Sequence, residues 1–124
     1  MWNYVAVAVG GVFGCWARYY LTGLIQDIFG RNFPYATLTI NVLGAFLMGF
    51  LFIETLERIQ MSPAVRTGIL TGVIGGFTTF STFAMETLLL TDEGELGKAA
   101  LYVMLSLILG LGGVFAGAYL ARNL

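Results

Sequence analysis

Three threonines, a serine and three phenylalanines crowd into nine residues, Gly75-Gly76-Phe77-Thr78-Thr79-Phe80-Ser81-Thr82-Phe83. Their chemistry is coordination rather than bond-making. Hydroxyl and carbonyl oxygens hold small ions. An aromatic ring has a negative face and a positive edge, so Phe80 and Phe83, one helical turn apart, can meet an anion edge-on without offering a full countercharge. That suits conduction, where binding must permit both entry and exit. Gly75-Gly76 weakens a helix at this point. Within hydrocarbon a break is tolerated only where it is buried in protein or faces water. Free carbonyls and half-helix ends at such breaks hold ions, which makes this run a candidate ion site.

Other polar residues stand in equally apolar surroundings: Arg18, Thr37, Thr39, Asn41, Thr71, Glu86 and Ser106. Membrane serines and threonines often bond their own helix at i−4. The amide of Asn41 has donors and acceptors that its own backbone cannot satisfy. Interhelical bonding and pathway lining both fit it. Arg18 needs carbonyls, water or an anion. It either snorkels to an interface or draws anions toward a vestibule. Glu86 shares a broad helical face with Thr79 and Thr82. A carboxylate near a pathway mouth repels anions, so a structural hydrogen-bonding or interfacial role suits it better.

These residues must be positioned by membrane helices. The chain has 124 residues, of which 58% are hydrophobic and 10% charged. A soluble domain of this size carries about 25% charged residues. The expected fold is all-α, a single integral membrane domain over 1–124, with spans at about 4–29, 35–56, 63–90 and 98–121 and the third span broken. Each span exceeds the roughly 20 residues that cross a bilayer core. Ser62 and Pro63 read as the N-cap and first turn of the third span. Gly10/Gly14, Ala45/Gly49, Gly68/Gly72/Gly76 and Gly113/Gly117/Ala121 repeat at spacing four. Small residues so spaced let membrane helices approach closely. Histidine is absent and Cys15 is the sole cysteine. That removes imidazole bases, His-ligated zinc and any internal disulfide. A net charge of −1 leaves no basic patch for nucleic acid.

Four spans are few for enclosing a pore, so lining residues from more than one subunit are expected. With both termini on one side, that side carries Arg58, Arg66 and Arg122, and the other carries Arg31 and Lys98. This is almost no positive-inside bias. Either something else sets orientation, or the chain inserts both ways and pairs antiparallel.

Three motifs in order resemble the Fluc (CrcB-type) bacterial fluoride channels. Gly10-Gly11-Val12-Phe13-Gly14-Cys15-Trp16-Ala17-Arg18-Tyr19 is similar to that family's GGxxGAxxRY motif, with Cys15 where alanine is usual. Asn41-Val42-Leu43-Gly44 resembles its second-helix asparagine motif, and Gly75 to Phe83 its GGxTTFSTF signature. The resemblance implies an antiparallel, dual-topology homodimer in the bacterial inner membrane, with two fluoride pathways between subunits and passive fluoride export. It assigns Phe80, Phe83, Asn41, Ser81 and Thr82, and less specifically Tyr102 and Ser106, to the fluoride pathway. It assigns the carbonyls of Gly75 and Thr78 to a structural, untransported Na+ at the dimer centre, and Arg18 to anion attraction. A small multidrug exporter would need a carboxylate deep in the first span, which has none until Asp27. An inert scaffold would leave the broken, hydroxyl-rich third span unexplained.

Overall fold

The computed structural model describes every residue from Met1 to Leu124. Helix α1 spans Trp2–Phe29 and α2 spans Tyr35–Glu57. Three contiguous segments, Pro63–Thr67, Gly68–Ile74 and Gly75–Phe77, run together as α3. Helix α4 spans Phe80–Asp92 and α5 spans Leu96–Arg122. The turns follow local chemistry. Gly30 closes α1 at φ 80, where a side chain would be strained, and its N–H bonds the Gln26 carbonyl. The Ser62 hydroxyl accepts the Val65 N–H at 3.2 Å, with Pro63 in the first turn of α3. Gly94, at φ 78, turns the chain between α4 and α5.

Three stretches are long and apolar enough to cross a membrane: Tyr35–Glu57, Pro63–Asp92 and Leu96–Arg122. A fourth was expected at α1, which has the length but is diluted by Arg18, Tyr19 and Tyr20 in its middle. Helix α1 runs parallel to α3, with Gly68 against Ala6, Gly10 against Gly68 and Val73, and Gly14 against Val73 and Phe77. Helices α2 and α5 form a second parallel pair through Gly49 on Val114, Gly113 on Val42 and Gly117 on Phe46. A Cβ at Gly10, Gly14, Gly49 or Gly117 would land on a carbonyl oxygen of the opposing helix. The seams are therefore backbone against backbone, as small-residue spacing permits.

One feature departs from the expected α-helical glycine face. Gly68–Ile74 is π-helical, and the Gly75 N–H still reaches the Leu70 carbonyl. Glycine supplies no side chain to hold the α register. The widened turns press the backbone of Gly68 and Gly72 onto α1, where an added Cβ would stand 2.9 Å from the Ala6 and Val7 carbonyls respectively. Only 21 of 124 residues are buried, so most of the apolar side chains face outward, toward hydrocarbon or another protein surface. The small core lies at the Phe33 end of the bundle, where Phe33, Leu90, Ala99 and Tyr102 pack together.

Candidate functional site

Helix α3 stops at Phe77. Thr78 (φ −82, ψ 159) and Thr79 (φ −150, ψ 121) are extended, and α4 begins at Phe80. Asn41 on α2 holds this junction. Its Nδ2 donates to the Thr79 carbonyl at 2.9 Å, and its Oδ1 accepts the Thr79 N–H at 2.8 Å. The Thr79 hydroxyl caps α4, accepting the Thr82 N–H at 3.2 Å and donating to the Thr82 hydroxyl at 3.1 Å. Gly44 lies one turn from Asn41 on the same face. A side chain there would strike the Thr78 methyl and stand 3.3 Å from the Phe77 ring. The Asn-x-x-Gly spacing thus sets an amide and a gap side by side against the break.

These bonds decide which carbonyls are spoken for. In a continuous helix the Thr79 N–H would serve the Gly75 carbonyl and the Thr82 N–H the Thr78 carbonyl. Both donors go to side chains instead. Gly76 between them accepts from Arg18 Nε at 3.2 Å. No group of three His, Cys, Asp or Glu side chains could hold a metal ion, so a hard cation at the break would rely on carbonyl oxygens. The Arg18 guanidinium does not snorkel free, because its Nε is bonded to the Gly76 carbonyl. It caps the negative end of α3, where carbonyls lack helical partners. It also lines a groove of about 760 Å³ with Trp16, Tyr19, Tyr20 and Asp27.

A ladder of rings starts at the break. Phe80 and Phe83 lie 5.6 Å apart at 59°. Phe83 meets Tyr102 at 5.1 Å and 65°, and Tyr102 meets Phe33 at 5.7 Å and 80°. Each step is tilted or edge-on, the favoured arrangement for ring quadrupoles. Tyr102 is fully buried, and its hydroxyl donates to Glu86 Oε1 at 2.8 Å. This gives Glu86 a structural hydrogen bond, one of the two roles expected of it. Ser106, one turn from Tyr102 on α5, has a buried hydroxyl with no partner. Ser81 is exposed, with its hydroxyl 3.4 Å from that of Thr79.

Seven of the ten expected site residues fall into three places. Asn41, Thr78 and Phe80 line a groove of about 300 Å³ together with Gly44, Thr79 and Val114. Phe83 and Tyr102 continue the ladder from Phe80, with Ser106 one turn from Tyr102. Arg18 stands apart, on the α1 side of the break. Thr79 and Gly44 stand within the motifs quoted from the sequence but carry no assigned role there, and Phe33 is not singled out. The Thr79-x-x-Thr82 cap and the Asn41/Gly44 spacing were available signals for the first two. Phe33 sits in a connector and had none.

Residues 5–118 match the family described as CrcB-like protein, Camphor Resistance (CrcB). A "Fluoride-specific ion channel FluC" of Acidithiobacillus ferrooxidans is 58% identical over 117 residues, which cover 94% of each chain. A protein of the same name from Geobacter sulfurreducens is 46% identical over 124 residues, all of both chains. Another, from Roseiflexus, is 43% identical over 122 residues, 98% of each.

Proposed function

We propose a function from one premise: the chain belongs to the CrcB-like protein family. It is a fluoride-selective ion channel rather than an enzyme. It lets fluoride leave down its gradient across the bacterial inner membrane and so lowers cytoplasmic fluoride. The observation that carries this reading is the ring ladder rising from a hydroxyl-lined helix break. Phe80 and Phe83 offer ring edges to the anion. Asn41, Ser81, Thr82 and Ser106 supply N–H and O–H donors along the same route, and Tyr102, whose hydroxyl is given to Glu86, contributes its ring. The unpartnered Ser106 hydroxyl supports this, because a buried donor without a partner is costly unless something visits it.

One copy does not enclose the route. Phe80 is 78% exposed, and Ser81 and Gly75 also lie on the surface. An antiparallel second copy supplies the missing wall, and two-fold symmetry then gives two equivalent pathways. The same symmetry suits a structural sodium on the axis, held by the Gly75 and Thr78 carbonyls of both copies. The residues present fit that ion. Sodium takes hard oxygen donors, and the helical donors of these two carbonyls go to side chains instead. When bound, the ion supplies fixed positive charge beside the anion route.

The test is fluoride efflux from proteoliposomes containing the purified protein, with sodium present. The expected result is fluoride flux with little chloride flux. Absence of fluoride flux overturns the reading.

A further inference from the structure

We infer that Asn41 is the positioning residue of the cation site, setting both carbonyl ligands through the peptide it holds. The inference rests on the sodium reading above and adds the device that makes the ligands available. Two bonds join Asn41 to Thr79, one to its N–H and one to its C=O. An asparagine serving only to tie helices together could bond any polar atoms across the gap. Here both bonds fall on the one residue that joins the two half-helices.

The Thr79 N–H bond has two consequences. It removes the donor that would otherwise close the helix onto the Gly75 carbonyl. It also aims the Thr78 carbonyl. The Thr78 C=O and the Thr79 N–H belong to one planar trans peptide and point in opposite directions. Drawing the N–H toward α2 therefore turns the Thr78 oxygen away from α2. A single bond thus releases one ligand and orients the other. The second bond, to the Thr79 carbonyl, fixes the next peptide so that the first cannot swivel. Gly44 leaves the room that Thr78 needs in this pose. Arg18 holds Gly76 from α1, so the chain just beyond the free Gly75 oxygen is gripped from two helices.

The test reads sodium binding rather than transport. Thermal unfolding of the purified, detergent-solubilised protein is followed across matched series of NaCl and KCl. Ligand that binds only the folded state raises the melting temperature by mass action. The wild-type protein is expected to gain stability from sodium over potassium. Asn41→Leu is expected to weaken the fitted sodium affinity about tenfold, the scale of one hydrogen bond between neutral groups. A purely structural loss would lower the melting temperature equally in both salts. Asn41→Asp keeps an acceptor for the Thr79 N–H but loses the donor to the Thr79 carbonyl, and is expected to retain part of the sodium response. Asn41→Ser, too short to span both atoms, replaces the leucine variant if that one does not fold, with the same expected loss. An undiminished sodium response in the leucine or serine variant overturns the inference, as does its complete loss in the aspartate variant. A wild-type protein indifferent to sodium overturns the sodium reading itself, and the inference falls with it.

Discussion

Thr79 is held at three points: its N–H and carbonyl by Asn41, and its hydroxyl by the Thr82 N–H and hydroxyl. A residue so fixed defines where the following side chains start. Phe80 is the first of them, and because it is largely exposed, Phe80→Ile should leave the chain's fold intact. Phe83→Ile loses ring contacts on both sides, to Phe80 and to Tyr102. Its cost to stability should be about 1 kcal/mol, the scale of an aromatic pair. Both variants should lower fluoride flux in proteoliposomes at least about tenfold, which corresponds to roughly 1.4 kcal/mol on the barrier. Normal flux in both would remove the ring edges from the mechanism. The residue types at this site were legible in the sequence, and so was the choice facing Asn41. Its partner was not. Asn41 and Thr79 are 38 positions apart, and Arg18 and Gly76 are 58 apart. Such pairs depend on the vertical register of neighbouring helices, which glycine spacing permits but does not fix.

At the scale of elements, the two parallel pairs depend on missing side chains. Gly117 has no room for a Cβ, because the Phe46 carbonyl and the Phe50 nitrogen (2.8 Å away) occupy the space. Gly117→Val should therefore cost about 1–3 kcal/mol, the usual range for overpacking, and lower the melting temperature of the purified protein. Gly112→Ala is the matched control. Nothing stands within 4 Å of its added Cβ, and its melting temperature should not fall. The helix ends were readable from Gly30, Ser62-Pro63 and Gly94, because each is local chemistry. The π-helical turns of Gly68–Ile74 were not. Spacing-four glycines suggest a regular α-helical face, whereas the observed turns reflect contact with α1, a tertiary effect.

For the molecule as a whole, charge is spread so evenly that the ends hardly differ. On the side of the termini, Arg58 is paired with Glu54 at 3.0 Å, and Arg66 is tied to Thr55 at 2.8 Å and lies over the Phe52 ring. Counted with Arg122, they stand three against the two of the other side, Arg31 and Lys98. Insertion in both orientations should follow, and terminal tags in intact cells should report both sides of the membrane. Uniform reporting from one side would defeat that expectation. The break itself sits between elements of very unequal self-sufficiency. Helices α1 with α3, and α2 with α5, are closed by backbone seams. Helix α4 carries Phe80, Ser81, Thr82 and Phe83, yet Leu90 is its only buried residue. Local opening costs least where few groups are buried. In the proposed dimer the anion route falls on a segment that buries little within its own chain, so that assembly with a second copy and completion of the conducting path become one event.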